Sequence, residues 1–208
     1  MGNIRFVSFS ILPTAGGGSS LDHYIALSGS GTAGTPYLIQ SPSDLKLLSD
    51  EVKSGKKYKN TYFAITNNLD LSVYSDWQPI GDLTFSDSYL VDSESPYDGG
   101  IYWGSSSQNI FCGKVDGRGH TISGLTTTGV YGEYGNFDFT GLFGVVGPGT
   151  VLKNIKLSGV DISSGSYHYI GGLIGGIYGY ESYGSDAIII ENCHVDGNVY
   201  GNGGLIGR

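Results

Sequence analysis

Charged side chains are scarce in this chain, and basic ones most of all. Asp, Glu, Lys and Arg make up 14% of the 208 residues, and 11 basic residues against 19 acidic ones give a formal net charge of −8. Nucleic-acid binding needs clustered Lys and Arg, whereas five of the 11 basic residues fall between Lys46 and Lys59, as on the solvated face of a helix. The composition therefore argues against a nucleic-acid partner.

Cysteine and long apolar runs are also lacking. Cys112 and Cys193 lie 81 residues apart and neither forms a Cys-x-x-Cys pair, so we expect free thiols, no metal site and no cofactor. No apolar run approaches the ~20 residues of a membrane-spanning helix, so we expect no membrane insertion. The apolar stretch at 4–12 is short and lacks a basic region ahead of it, which argues against a signal peptide. Residues 1–28 are expected to be a leader or linker segment with one strand.

Catalytic motifs are missing as well. None of the four histidines precedes a glutamate, which excludes the His-Glu-x-x-His motif of zinc peptidases. No Gly-x-Ser-x-Gly elbow and no Gly-Lys-Ser/Thr phosphate loop occurs. The cluster of Asp116, Arg118 and His120 offers an acid and a base for polysaccharide cleavage. It also suits a tight turn in which Asp116 accepts backbone N–H groups, and this is the interpretation that we favour.

Glycine is abundant, in a pattern typical of an ordered protein. The 36 glycines follow no three-residue period and are interleaved with apolar residues and 16 tyrosines, which disfavours both collagen and disorder.

One substantial helix is predicted at 41–54, because Ser41 can cap it, Pro42 fits its first turn and Asp44 completes a capping box. Gly55 is placed to end it. The rest of the chain is predicted to be β.

A repeated sequence occupies the second half of the chain. Gly-Leu-Phe-Gly at 141–144 recurs as Gly-Leu-Ile-Gly at 172–175 and 204–207, at spacings of 31 and 32 residues. Several short alternating strands per repeat, separated by Gly or Asn, are typical of a parallel β-solenoid, whose crossovers are right-handed by default. Stacked coils of this kind would bury one continuous apolar column.

An alternating segment precedes each copy and allows the repeats to be aligned. The alignment pairs Ile155 with Cys193, Leu157 with Val195 and Gly159 with Gly197. It also predicts that Asn154 and Asn192 stack at a corner, where their amides can satisfy turn backbone groups.

The repeat resembles the GLUG motif. The segments at 31–39, 77–81 and 115–125 resemble the helix-capped start of GLUG-type β-helices, so that the resemblance extends from about residue 29 to the end of the chain. Such β-helices occur in large bacterial surface proteins, adhesin-like proteins and the non-catalytic regions of IgA-cleaving metallopeptidases. The resemblance implies an all-β fold, a right-handed parallel β-helix with an N-terminal capping α-helix, and an extracellular or cell-surface location.

The resemblance also sets the expected domain organisation. Residues 29–100 are expected to form the N-terminal cap and first coil, and residues 101–208 the GLUG-type coils. The chain stops directly after a repeat strand without a polar capping segment. Because solenoids need capped ends, we expect either that these coils are part of a longer array or that an intermolecular contact covers the last coil.

A non-catalytic module for adhesion, display or ligand binding is the expected function, since functions vary among proteins that share this fold. The first alternative is a carbohydrate-active β-helix, a polysaccharide lyase or glycoside hydrolase, which would align carboxylates on one face. The aligned strands offer only Asp161 and Asp196, at positions that do not correspond. A phage tail or spike component shares the fold and remains a second alternative.

Three insertions at 129–140, 164–170 and 178–186 carry seven tyrosines. If the insertions leave the coils at neighbouring corners, the rings would form an aromatic surface for a neutral glycan or a host or cell-surface protein. The alternative is that the rings pack against the coils. The predicted binding residues are Tyr131, Tyr134, Tyr167, Tyr169, Tyr178, Tyr180 and Tyr183.

The stretch at 82–98 is acidic and Ser-rich, with little periodicity, and we interpret it as a loop excursion. Its five carboxylates, which begin with Asp82, could supply oxygens to calcium. Their spacing matches neither an EF-hand nor the nonapeptide calcium repeats. A solvated loop is therefore the favoured interpretation.

Overall fold

The structure, a computed structural model, describes residues 27–83, 108–128, 139–163, 169–178, 186–200 and 204–207. Within these ranges the chain is predominantly β, with one α-helix, α1 (Pro42–Lys53), and one short 3-10 helix (Leu71–Val73). The predicted all-β class with a single substantial helix is thereby confirmed. The strand predicted at the start of the chain lies outside the described residues.

Helix α1 begins at the predicted capping box. The Ser41 hydroxyl accepts the backbone N–H of Asp44 at 3.2 Å, and the Asp44 carboxylate accepts the backbone N–H of Ser41 at 2.9 Å. These reciprocal bonds satisfy backbone donors that the first turn leaves unpaired. Leu45, Leu48 and Val52 lie on one face of the helix and are at most 1% exposed, so this face covers the apolar core beside the first strand.

Sixteen strands are described, and most of them have two to four residues. In chain order they are β1 (Tyr37–Ile39), β2 (Tyr62–Ile65), β3 (Leu69–Asp70), β4 (Asp82–Leu83), β5 (Gln108–Asn109), β6 (Lys114–Asp116), β7 (Thr121–Ser123), β8 (Thr126–Thr128), β9 (Phe139–Thr140), β10 (Phe143–Val146), β11 (Val151–Lys153), β12 (Lys156–Ser163), β13 (Tyr169–Ile170), β14 (Ile174–Ile177), β15 (Ile189–Glu191) and β16 (His194–Tyr200).

Three parallel sheets collect most of these strands. The first sheet has the order β1-β2-β6-β11-β15, the second has β3-β7-β12-β16 with β8 also beside β12, and the third has β10-β14. The short pair β9-β13 is parallel as well, whereas β4 and β5 are antiparallel. Neighbours within each sheet come from successive repeats, so the chain passes through the three sheets in the same order in each repeat.

The register places corresponding residues of the repeats side by side. The aligned series are Val115–Leu152–Ile190 in the first sheet, Ile122–Leu157–Val195 in the second, and Phe143–Ile174–Ile206 in the third. Because these residues are apolar and lie over one another, one core runs through all the repeats. The core includes the aromatic side chains of Phe63, Trp77, Phe111 and Phe143, and the Trp77 indole donates to the Leu142 carbonyl at 3.2 Å.

The register also corrects one detail of the repeat alignment. Leu157 pairs with Val195 as predicted, but Gly197 pairs with Val160 and not with Gly159. A bulge between Leu157 and Val160 explains the difference, because β12 has one residue more there than β16. Ile80 forms a parallel bridge with Phe143 and so extends the third sheet.

Candidate functional site

A cleft lies on the outer side of the first sheet, beside the loop that precedes β1. Side chains alternate along the short strands, so that Val115 and Leu152 enter the core while their chain neighbours face outward. The cleft has a volume of about 450 Å³. The lining residues that bear on its chemistry are Pro36, Tyr62, Lys114, Asp116, Val151 and Lys153.

Backbone hydrogen bonds fix the loop that forms one wall of the cleft. The backbone N–H of Tyr62 donates to the Gly31 carbonyl at 2.9 Å, and that of Leu38 donates to the Ser28 carbonyl at 2.8 Å. Gly31 has φ of +70°, and a Cβ atom there would lie 2.5 Å from the Tyr37 ring. The wall therefore depends on a glycine at this position.

Tyr62 and Lys114 form one side of the cleft because they are register partners in β2 and β6. Lys114 Nζ lies 4.7 Å from the centre of the Tyr62 ring and 3.2 Å from its hydroxyl oxygen. Such an ammonium is attracted by the π face of the ring. Among the described residues, no carboxylate forms an ion pair with Lys114.

Asp116 and Lys153 form the opposite side and are also register partners, in β6 and β11. Lys153 Nζ lies 3.4 Å from Asp116 Oδ2. Partial burial opposes ionisation of Asp116, but hydrogen bonds from Asn154 and the backbone of Arg118, together with the Lys153 charge, outweigh it and hold its pKa below the ordinary value. Asp116 is therefore ionised at neutral pH.

A ladder of side-chain hydrogen bonds runs across the turns that follow these strands. Asn154 Nδ2 donates to Asp116 Oδ1 at 2.9 Å, and Asn192 Nδ2 donates to Asn154 Oδ1 at 2.8 Å. Asn154 and Asn192 have φ angles of 55° and 51°, a region that asparagine tolerates better than most residues. The predicted stacking of the two asparagines is thus confirmed, with Asp116 as a further member.

Residues 116–120 form a tight turn, as the sequence favoured, in which the Asp116 side chain accepts a backbone N–H group. Asp116 Oδ1 accepts the backbone N–H of Arg118 at 2.9 Å. Positive φ angles occur at Arg118 and Gly119, whereas Gly117 is needed because a Cβ atom there would lie 2.3 Å from the Asn154 carbonyl oxygen. Asp116 Oδ1 is thus committed to backbone and ladder contacts.

The structure describes both cysteines, part of the acidic stretch and the one α-helix. Cys112 and Cys193 are free thiols whose burial raises the pKa of each, and Cys193 is only half-buried. In the described ranges, His, Cys, Asp and Glu form no group of three suited to a metal ion. The Asp82 carboxylate accepts the Asn109 side-chain amide at 2.8 Å, and the other four carboxylates of the acidic stretch lie outside the described residues. No helix of the described ranges is both long and apolar enough to cross a bilayer.

Two of the seven predicted tyrosines lie within the described residues. Tyr169 is half-buried, and its ring stacks on Phe139 with centroids 4.9 Å apart and planes 7° apart. Tyr178 is half-buried and packs against a small apolar cluster that includes Val145. The other five, Tyr131, Tyr134, Tyr167, Tyr180 and Tyr183, lie outside the described residues, and the binding role of all seven stays a prediction.

The described ends of the insertions place two of them at one corner. The first insertion begins after Thr128 and the second after Ser163, and these two residues are register partners in β8 and β12. The chain re-enters a strand at Phe139 after the first insertion and at Tyr169 after the second, and these two residues are register partners in β9 and β13. The third insertion instead follows β14, between the third and first sheets. The strands that flank the first two insertions therefore meet at one corner, and those that flank the third insertion meet at another.

The repeat can be compared with those of known proteins. Residues 166–200, which include the Gly-Leu-Ile-Gly copy at 172–175, match the family model described as the GLUG motif. The chain carries a GLUG motif. The resemblance predicted from the sequence is confirmed over these residues.

Two relatives of the GLUG-bearing chain are much longer proteins. The chain is 29% identical over 184 residues to a protein of Evansella cellulosilytica that is provisionally named a Gly-rich membrane protein, with 85% of the chain and 17% of that protein covered. It is 28% identical over 190 residues to halomucin of Haloquadratum walsbyi, with 86% of the chain and 2% of halomucin covered. The chain thus spans less than a fifth of each of these relatives.

One solved structure shares the fold of the GLUG-bearing chain. It is a crystal structure from Bacteroides ovatus whose title provisionally assigns the protein as an immunoglobulin A1 protease. The TM-score is 0.50 at 20% identity, and the match covers 81% of this chain and 40% of that one. At this identity the similarity concerns the fold alone.

Sequence reasoning missed the cleft. Tyr62 and Lys114 are 52 residues apart and lie in segments with no obvious sequence similarity, so only the register of β2 and β6 brings them together. The usable signal was the alternation around Val115, which predicts that Lys114 and Asp116 share the outward face of one strand.

Proposed function

We propose that this chain is a segment of a right-handed parallel β-helix, capped at its N-terminal end by α1, that serves as a non-catalytic cell-surface or extracellular module. The observation that carries the proposal is the parallel register of corresponding residues in three sheets around one apolar core. A stack of this kind is stabilised by contacts between neighbouring repeats and suits an extended, rigid support for display. In this proposal residues 29–100 form the cap and first coil, and residues 101–208 form the GLUG-type coils.

The names of the relatives support a surface location. One is provisionally called a membrane protein and the other halomucin, and the chain corresponds to a small part of each. The low charge and the many Gly, Ser and Tyr residues agree with this location, as a correlation only. We propose that the protein containing this chain exposes it at the cell surface.

Accessibility on intact cells tests this proposal. Antibodies raised against the folded chain are applied to intact and to permeabilised cells of the source organism, before and after treatment with an external protease. We expect labelling of intact cells that protease treatment removes. Labelling that requires permeabilisation and survives the protease would contradict the proposal, and labelling of a periplasmic or cytosolic protein in parallel controls for cell integrity.

A binding role for the tyrosine insertions is a second candidate function. It is favoured by the shared corner from which the first two insertions leave, since insertions of repeat proteins at one corner often form a recognition surface. Tyr169 and Phe139 stack at the base of that corner, where they would support exposed rings. The ligand would be a neutral glycan or a protein surface, because a chain of charge −8 repels anionic polymers over long distances.

Matched double variants separate the two corners. Tyr131→Ser with Tyr134→Ser changes the shared corner, and Tyr180→Ser with Tyr183→Ser changes the other one. Each folded variant is compared with the parent on an array of glycans and host proteins. We expect the first pair to lose ligands that the parent binds, because aromatic rings supply the contact area. Binding equal to that of the parent by both pairs would leave these rings with a packing role only.

A further inference from the structure

The cleft of the first sheet contains a cation whose contacts leave it available to a ligand. Lys114 is held by the face and hydroxyl of Tyr62, at 4.7 Å and 3.2 Å, and both contacts are with a neutral group. Lys153, in contrast, is paired with Asp116, beside it on the opposite side of the cleft. Lys114, Lys153 and Asp116 together give the cleft a net charge of +1, in a chain whose net charge is −8. A local cationic site in an acidic protein favours a ligand with one negative group.

The remaining groups of the cleft restrict the ligand further. Asp116 is ionised and would repel a second carboxylate, but its Oδ2 atom and the adjacent Lys153 ammonium suit neighbouring hydroxyl groups, one as acceptor and the other as donor. Pro36 and Val151 supply apolar surface for C–H groups. A volume of about 450 Å³ lies within the ordinary range of small-ligand sites. One carboxylate, adjacent hydroxyls and an apolar face occur together in an acidic sugar.

We propose that this cleft binds a single carboxylate-bearing sugar residue, of the uronic or sialic acid type, in an otherwise neutral glycan. The sugar carboxylate lies on Lys114 Nζ, vicinal hydroxyls contact the Asp116–Lys153 pair, and the C–H face of the ring packs on Pro36 and Val151. The site goes beyond the proposed function and shares no residue with the tyrosine insertions. Each proposal can therefore fail while the other holds.

A glycan array with matched pairs tests the class of ligand. Each acidic glycan is presented beside its methyl ester, which keeps every hydroxyl and removes the charge. We expect the wild-type chain to retain one or more acidic glycans and to lose each of them on esterification. Retention of no acidic glycan, or equal retention of acid and ester, would overturn the proposal. Stronger retention of a tetraglutamate peptide than of any acidic glycan would also overturn it.

Two variants of the cleft and one matched control test the assignment to Lys114. Lys114→Met keeps the apolar stem and removes the charge, and we expect the affinity for the best acidic glycan to fall about tenfold, as for the loss of one charge-assisted hydrogen bond. Tyr62→Phe removes only the hydroxyl that positions the ammonium, and we expect a loss of about twofold to fivefold. Lys156→Met changes the net charge equally at an exposed position of β12 in the second sheet, and we expect unchanged affinity.

The readout is a calorimetric titration of each variant after its thermal unfolding has been shown to match that of the wild type. Equal losses for Lys114→Met and Lys156→Met would mean that net charge alone governs binding, and the assignment to the cleft would be wrong. If Lys114→Met unfolds early, Tyr62→Phe decides alone. Unchanged affinity in that variant would then overturn the assignment.

Discussion

Successive repeats with the same sequence pattern differ in how much apolar surface they bury. Leu157 and Leu173 are at most 1% exposed, whereas their counterparts in the next repeat, Val195 and Leu205, are half-buried. Leu157 and Leu173 each have a described repeat on both sides, whereas Val195 and Leu205 each have a described repeat on one side only. Burial of a repeat position therefore comes mainly from the neighbouring repeats and not from the repeat that contains it.

The largest test of this difference is the same truncation in both repeats. Leu173→Ala leaves a cavity between two repeats, and we expect the free energy of unfolding to fall by about 2–5 kcal/mol. Leu205→Ala removes atoms that are already partly solvated, and we expect a loss of about 1 kcal/mol or less. Urea denaturation of both variants measures the contrast. Equal losses would show that the two repeats are equally packed in solution.

The first glycine of the repeat gives a second matched pair. A Cβ atom on Gly141 would lie 2.5 Å from the Gly171 carbonyl oxygen, whereas on Gly204 it would meet no described atom within 4 Å. We expect Gly141→Ala to destabilise the fold by about 1–3 kcal/mol, because backbone would have to shift. Gly204→Ala is expected to change stability by about 0.5 kcal/mol at most. The midpoint of urea unfolding reports both, and a larger effect at Gly204 would contradict the packing argument.

The asparagine ladder allows a third comparison with the left-handed backbone preserved. Asn154→Gly removes one bond donated to Asp116 and one accepted from Asn192, and we expect a loss of about 1–2 kcal/mol. Asn192→Gly removes one bond at the end of the ladder, and we expect about half of that loss. Glycine accepts positive φ freely, so backbone strain does not enter. Thermal unfolding at neutral pH is the measurement, and equal losses would show that the ladder position is unimportant.

The smallest effect concerns acid sensitivity. Since the pKa of Asp116 is lower in the folded chain, its ionisation stabilises the fold above the unfolded pKa of about 3.8, and this contribution disappears as the pH falls through the folded value. Asp116→Asn is therefore expected to lose less stability than the wild type between about pH 4 and pH 2. Asn154→Gly should do the same, because it removes a bond that favours the carboxylate. Parallel pH profiles for all three proteins would contradict this.

The sequence was sufficient for features that depend on local chemistry. The helix at Pro42–Lys53 was predicted within one residue of each end, because Ser41, Pro42 and Asp44 act through contacts within a few residues. The pairing of Leu157 with Val195 was also predictable, since both lie at the same step of an apolar alternation. Stacking of Asn154 and Asn192 followed from the same alignment.

Other features depend on register and could not be read from the sequence. The Gly159 alignment failed because a bulge changes the residue count of one strand without changing its apolar pattern. The cleft escaped notice because Tyr62, Lys114 and Lys153 are adjacent only after three strands have paired. The corner at which each insertion begins likewise follows from strand pairing, since β8 and β12 end side by side whereas β14 ends in another sheet.

The short antiparallel pair of β4 and β5 has a consequence for how such a chain can change over evolution. Asp82 pairs with Asn109 and Leu83 with Gln108, so the two ends of a long excursion are joined at its base. Closing a loop whose ends are already fixed costs only about 0.6 kcal/mol for each doubling of its length. A change in the length of the segment between Leu83 and Gln108 is thus expected to alter the closure cost by only about this amount. This position is a natural point for grafting peptides or whole domains onto the chain.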